Sequence, residues 1–125
     1  MGAVLDTNVI IEIARGNDEV FEKVTALDNT FYITSISKFE ILLGMPKKDE
    51  LIWLETLIEL PFDGKCAEMA AYLHKKLGEK GRPMSLRNLF IASIAITNGL
   101  PLITLDGDFR VLKELGFNMV VLSAP

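Results

Sequence analysis

Four short apolar runs, separated by longer stretches with helical patterning, constrain this chain more than any other feature. The runs are Ala3-Val4-Leu5, Phe31-Tyr32-Ile33-Thr34, Leu102-Ile103-Thr104-Leu105 and Met119-Val120-Val121-Leu122. Each is short and continuous, as expected of a strand buried on both faces. Between them, helices are predicted from about Asn8 to Arg15 with a stop at Gly16, and from Asp18 to Leu27. Further helices are predicted from Ser37 to Leu43, with a stop at Gly44 and Pro46 just beyond, from Lys47 to Leu60 and from Lys65 to Gly78. The last two run from Ser85 to Thr97, stopping at Asn98-Gly99, and from Phe109 to Leu115, stopping at Gly116. Strands that alternate with helices predict an α/β fold, a central parallel sheet with helices on both faces. A chain of 125 residues suits a single domain over 1–125, whose core needs no disulfide or structural metal.

Charge narrows the partners. Broad neutralisation of nucleic-acid phosphates favours basic chains, and this chain has a formal charge of −4. Either it binds no nucleic acid, or bound cations supply the positive charge. The lone Cys66 forms neither an intrachain disulfide nor a thiolate metal site; it reads as a buried apolar residue and fits a reducing cytoplasm. The opening residues reach Asp6 before an apolar leader core forms, and position 6 lacks the Ser or Thr of a myristoylation signal. No apolar run reaches membrane-spanning length. A cytoplasmic protein with no membrane partner is therefore expected.

Mean hydropathy is +0.31, high for a small soluble chain. Along the predicted helix from Lys47 to Leu60, the residues Leu51, Trp53, Leu54, Leu57, Ile58 and Leu60 cover about half the circumference. One packing face needs roughly 100°. Both observations suggest apolar surface hidden in a homodimer; the competing reading is a helix set deep among its neighbours.

In an open parallel sheet, ligands bind beyond the carboxyl ends of the strands. Asp6 follows the first strand. Thr34 and Ser35 follow the second, with Glu40 early in the next helix, and Asp106 and Asp108 follow the third. Ser85, Arg87 and Asn88 open a helix that can start on the same rim. Acids gathered there repel unless protonated or neutralised by a cation, and oxygen ligands suit Mg²⁺ or Mn²⁺. One or two such ions can ionise a water and stabilise a leaving oxygen. The same rim also collects helix N-termini, where Asp and Ser are preferred caps. Asp6, Ser85 and Asp106 fit that role, and Ser37-Lys38-Phe39-Glu40 matches a capping box. Spacing leaves both readings open, and one residue can serve both.

The order of these motifs resembles the PIN-domain family and, within it, the small prokaryotic VapC-type toxin ribonucleases. Val4-Leu5-Asp6-Thr7-Asn8-Val9-Ile10-Ile11 is similar to the family's opening strand and first acid. Ser35-Ile36-Ser37-Lys38-Phe39-Glu40-Ile41-Leu42-Leu43-Gly44 resembles the segment bearing the second. Gly99-Leu100-Pro101-Leu102-Ile103-Thr104-Leu105-Asp106-Gly107-Asp108-Phe109 is similar to the final acidic motif. Each is weak alone; their order and spacing make the set specific. The resemblance implies a PIN-like domain that cleaves RNA with Mg²⁺ or Mn²⁺ and is held in check by a cognate antitoxin protein. It implies Asp6 and Glu40 as metal ligands, with Asp106 and Asp108 completing the cluster. Thr7, Asn8 and Thr104 become supporting groups, against a reading as local backbone hydrogen bonders.

One position departs from the family pattern. In Ser85-Leu86-Arg87-Asn88-Leu89-Phe90-Ile91-Ala92, an aspartate is expected where this chain has Asn88. An amide oxygen can still meet a cation, but it lacks the charge that gives a hard metal much of its affinity. Metal binding is then expected to be weak, limited to one ion, or completed by RNA phosphates; the alternative is a feeble or inactive PIN-like module that binds RNA or protein. A metal-dependent phosphatase or DNA nuclease would use the same carboxylates. His74, beside Lys75 and Lys76, reads as solvent-facing. Lys80, Arg82 and Arg87 read as a solvated charged loop, with contact to RNA backbone as the other option. Met69, Tyr72, Leu73 and Leu77 read as core or interface. No Gly-rich phosphate loop is present, which argues against a nucleotide hydrolase.

Overall fold

The computed structural model describes residues 2–44 and 47–123. Strand β1 (Ala3–Leu5) leads through Asp6 into helix α1 (Thr7–Ala14), and α2 (Asp18–Leu27) follows. Gly16, with φ of 87°, makes the left-handed turn between these helices that a side chain would resist. Next come β2 (Phe31–Thr34), α3 (Ser35–Leu43), α4 (Lys48–Leu54) and β3 (Ile58–Leu60). The second half comprises α5 (Gly64–Glu79), α6 (Leu86–Thr97), β4 (Leu102–Thr104), a 3-10 turn (Gly107–Phe109), α7 (Arg110–Glu114) and β5 (Met119–Val121).

All five strands are parallel, in the order β3-β2-β1-β4-β5. The period-two geometry of the strands sends alternate side chains to opposite faces. Val4 and Leu102 pack with Leu73, Leu77, Leu89, Ala92, Phe109 and Leu112 from α5, α6 and the α7 region. Their neighbours Leu5 and Ile103 pack with Val9, Ile10, Val24 and Ile41 from α1, α2 and α3. Both faces are thus covered, which is why the strand sequences lack polar alternation. Each fully buried Leu or Ile contributes about 1.5–3 kcal/mol of burial.

The sheet order matters for function. Chain order proceeds one way from β1 to β2 and the other way to β4, so β1 lies at the point where the strand order reverses. A crevice opens at its carboxyl end. The residue placed there is Asp6.

Three expectations need correction. The predicted helix from Lys47 to Leu60 ends at Leu54, and Ile58–Leu60 is instead an edge strand in register with Tyr32, Ile33 and Thr34. Thr56 closes the turn by donating its hydroxyl to the Trp53 carbonyl at 2.6 Å. Helical periodicity cannot register that β2 has an open edge, whose backbone groups find partners in this segment. Leu57, Ile58 and Leu60 therefore do not lie on the helix whose excess apolar arc suggested a second buried face. The predicted capping box at Ser37 is absent: α3 begins two residues earlier, and its N-cap is Thr34, whose hydroxyl accepts from the Ser37 amide at 3.0 Å. The helix predicted over Phe109 to Leu115 begins as a 3-10 turn and continues as α7. Pro46, read as a stop signal, lies outside the described residues.

Candidate active site

Asp6 ends the central strand in extended conformation and is completely buried. A buried carboxylate needs hydrogen bonds and a counter-charge, and Asp6 has both. Its Oδ1 accepts from the Thr7 amide at 2.8 Å, so it caps α1, and from Arg87 Nη2 at 3.1 Å. Its Oδ2 accepts from the Thr104 hydroxyl at 2.7 Å. Asp6 thus caps α1 while its other contacts face the remaining candidate site residues.

Glu40 projects from α3 toward the same point. Thr7 Oγ1 lies 2.6 Å from Glu40 Oε1 and 2.8 Å from Ser37 Oγ. An ionised carboxylate can only accept, so the single Thr7 proton goes to Glu40 and buried Ser37 donates to Thr7. Arg87 meets Glu40 as a fork, with Nε 2.8 Å from Oε2 and Nη2 2.9 Å from Oε1. Burial, the largest influence, pushes the Glu40 carboxyl up, but the bonds from Arg87 and Thr7 and the Arg87 charge outweigh it and hold it below its ordinary value. Burial likewise pulls the Arg87 guanidinium down, and its contacts with Glu40 and Asp6 more than reverse that.

The third Arg87 nitrogen, Nη1, donates to Asn88 Oδ1 at 2.8 Å. Asn88 is buried at the start of α6, where Ser85 caps the helix by accepting from the Asn88 amide at 3.2 Å. Asn8 works from α1 across to the next strand end, its Oδ1 accepting from the Leu105 amide at 3.2 Å. Thr104 links two acids: besides donating to Asp6, its hydroxyl accepts from the Asp106 amide at 2.9 Å.

Asp106 and Asp108 sit on the same rim but are not drawn into this network through their carboxylates. Asp106 Oδ1 accepts from the Asp108 amide at 2.8 Å and so caps the 3-10 turn. Asp108 is exposed. It borders a cleft of about 380 Å³ shared with Asn88, Ser85 and Arg82. Among the described residues, no three acidic, histidine or cysteine side chains come close enough to hold a metal by themselves. No buried side-chain nitrogen or oxygen among the described residues lacks a partner.

The residues that sequence reasoning passed over are Arg87 and Ser37. Arg87, grouped with a solvated loop, instead occupies the acidic centre with its side chain only 33% exposed. The available signal was a lone cation in the first turn of α6, where the helix dipole disfavours positive charge and a nearby acid must compensate. Of its former companions, Lys80 is exposed and Arg82 pairs with Glu114. His74 is exposed, as expected. Leu73 and Leu77 are fully buried, Met69 packs partly against the core and Tyr72 is exposed.

The oxygens that surround Arg87 come from two carboxylates and an amide, a hard donor set that suits Mg²⁺ or Mn²⁺. It contains no sulfur or imidazole. The donors therefore fit such an ion in chemistry, with the guanidinium now standing among them.

Comparison with known proteins finds relatives in sequence and in fold. The sequence profile of the PIN domain matches residues 3–115. Ribonuclease VapC3 of Methanocaldococcus jannaschii is 43% identical over 94 residues, which cover 75% of this chain and 98% of that protein. In fold, the chain is similar to one in the crystal structure of VapBC2 from Rickettsia felis bound to a promoter DNA fragment. The TM-score there is 0.78 at 27% identity, with 98% of each chain covered. A member of the VapBC family of toxin-antitoxin systems, VapBC-5 from Mycobacterium tuberculosis, gives 0.69 at 25% identity, again covering 98% of each chain.

Proposed function

This chain belongs to the PIN-domain family, and on that premise we propose that it is a metal-dependent endoribonuclease, the toxin of a toxin–antitoxin pair. The observation that carries this reading is Asp6. A carboxylate fully buried at the strand-order reversal, facing Glu40, Asn88 and a cation, is costly to a fold unless its charge is used.

In the mechanism, Asp6, Glu40 and Asn88 would hold Mg²⁺ or Mn²⁺, with Asp106 and Asp108 completing the rim. When bound, the ion supplies the charge that offsets phosphate and acidifies water for attack on a phosphodiester. The protein supplies orientation. Thr7 and Thr104 fix the carboxylate planes of Glu40 and Asp6, so neither reorganises during reaction. Asn8 ties the Asp106 turn to α1. Asp108 and Asn88 border a cleft beside the site, which suits an RNA strand. The likeness to VapBC assemblies supports an antitoxin partner. Exposed Phe39, Leu42, Leu43 and Ile52 lie on α3 and α4 and suit a protein partner. The apolar hollow lined by Phe62, Ala67, Ala71, Leu86 and Phe90 supports self-association as a homodimer.

A second reading has specific support. Asn88 lowers the negative charge of the site and Arg87 fills it, which favours a PIN-like module that binds RNA or protein without cleaving it.

The deciding experiment compares RNA cleavage in Mn²⁺, in Mg²⁺ and in EDTA by three forms: the unaltered chain, Asn88→Asp, and Asp6→Asn in the Asn88→Asp background. Metal-dependent cutting by Asn88→Asp that falls about 100-fold or more with Asp6→Asn is the expected result, since loss of several kcal/mol of charge stabilisation is that large. Folded proteins that cut no RNA in any form would pass the lead to the binding module.

A further inference from the structure

Arg87 makes four hydrogen bonds with all three of its guanidinium nitrogens, and every acceptor is an oxygen of Asp6, Glu40 or Asn88. Those are the oxygens that a divalent cation would take. A guanidinium seated between these groups fills the space a small hard cation would need and repels its charge, so the two occupants compete. Arg87 also stands in the first turn of α6, at the positive end of the helix dipole. Its placement there is sustained by the two acids and by the neighbouring Asn88 amide oxygen, against the dipole. The lock is well made: a planar fork on Glu40, a single contact on buried Asp6 and one on the neighbouring amide. It is also releasable. The Arg87 side chain is one-third exposed, flanking Leu86 is exposed, and Ser85 is exposed beside the cleft.

We propose that Arg87 is an intramolecular competitor for the divalent cation, closing the acidic site in the metal-free protein and withdrawing from it when Mg²⁺ or Mn²⁺ enters. The inference rests on the reading of Asp6, Glu40 and Asn88 as cation-holding groups. The closed form sets one guanidinium against two carboxylates without any ion, so the chain folds with its acids partly neutralised from within. Cation binding then requires the open form, and the apparent affinity is the intrinsic affinity reduced by the open fraction. An Asn88→Asp change strengthens both occupants, because the new charge attracts the guanidinium as well as the ion. Its gain in metal affinity is consequently smaller in the native background than in an Arg87→Met background.

Two measurements test this. Isothermal titration with Mn²⁺ compares the unaltered chain, Arg87→Met, and Asp6→Asn in the Arg87→Met background. Arg87→Met is expected to bind Mn²⁺ about tenfold or more tightly if the closed form is populated by at least that ratio, and the added Asp6→Asn change is expected to cancel the gain. Independently, the Nε–H resonance of Arg87 is followed by NMR in the unaltered chain while Mg²⁺ is added. It is expected to move from its hydrogen-bonded position to that of a free arginine, and this reading stands even if Arg87→Met does not fold. Mn²⁺ affinity that is unchanged or weaker in folded Arg87→Met overturns the inference, as does Mg²⁺ binding that leaves the Arg87 resonance unmoved. RNA cleavage without the affinity gain removes the competition and keeps the nuclease. The affinity gain and the arginine shift without cleavage of any RNA keep the competition and remove the nuclease. A chain that binds no Mn²⁺ in either form overturns both.

Discussion

The two acidic stretches of the rim are built in opposite ways. Around Asp6 and Glu40, hydrogen bonds join residues 33, 47, 81 and 98 positions apart. Around Asp106 and Asp108, the bonds span two positions and serve the turn itself. Asp6 is fully buried and Asp108 is exposed. The difference follows from solvation. Water solvates an exposed carboxylate at no structural cost, whereas a buried one obliges the fold to bring it donors and a counter-charge. Long-range assembly therefore concentrates where the charge is dry.

In EDTA, Arg87→Met should lower the unfolding free energy by about 2–4 kcal/mol, somewhat under the cost of breaking a fully buried pair because Arg87 is partly wet. Asp108→Asn should stay within about 0.5 kcal/mol. Urea denaturation of both variants checks the contrast, and similar losses would dissolve it. Thr104→Val should cost about 1–3 kcal/mol, since it removes a donor from buried Asp6 and an acceptor from the Asp106 amide. Asp106→Ala, which removes only the cap of a short turn, should cost about 1 kcal/mol by the same assay.

The smallest effect is in pH. The folded-state carboxyl of Glu40 lies below its ordinary value of 4.5, so its contribution to stability is present above that value and is lost as pH falls through the lowered one. The gap in melting temperature between the unaltered chain and Glu40→Gln should accordingly hold steady at neutral pH and close on acidification. A gap that persists in strong acid would mean that Glu40 acts by packing and not by charge.

How legible was this molecule in its sequence? The strand at Phe31–Thr34 and the helix at Asp18–Leu27 match their expected bounds, because both are marked by local chemistry: aromatic and β-branched residues in one, an Asn17 cap and a 3.6-residue apolar period in the other. Ile58–Leu60 did not declare itself. Ile58 and Leu60 fit the helical arc as well as they fit a strand, and only the open edge of β2 chooses between them. Glu40 offers the same lesson at the site. Its spacing from Ser37 satisfied a local capping rule, yet the side chain pairs with an arginine 47 positions away.

What the sequence determined by itself was periodicity and chemical type: which runs are buried on both faces, which loops follow strands, and which acids share a rim with Asn88 among them. Only the tertiary structure decided which of those acids is dry and what cation faces it. Burial and charge pairing are properties of distance in space, and no local pattern around Arg87 states that Asp6 and Glu40 lie within reach of its guanidinium.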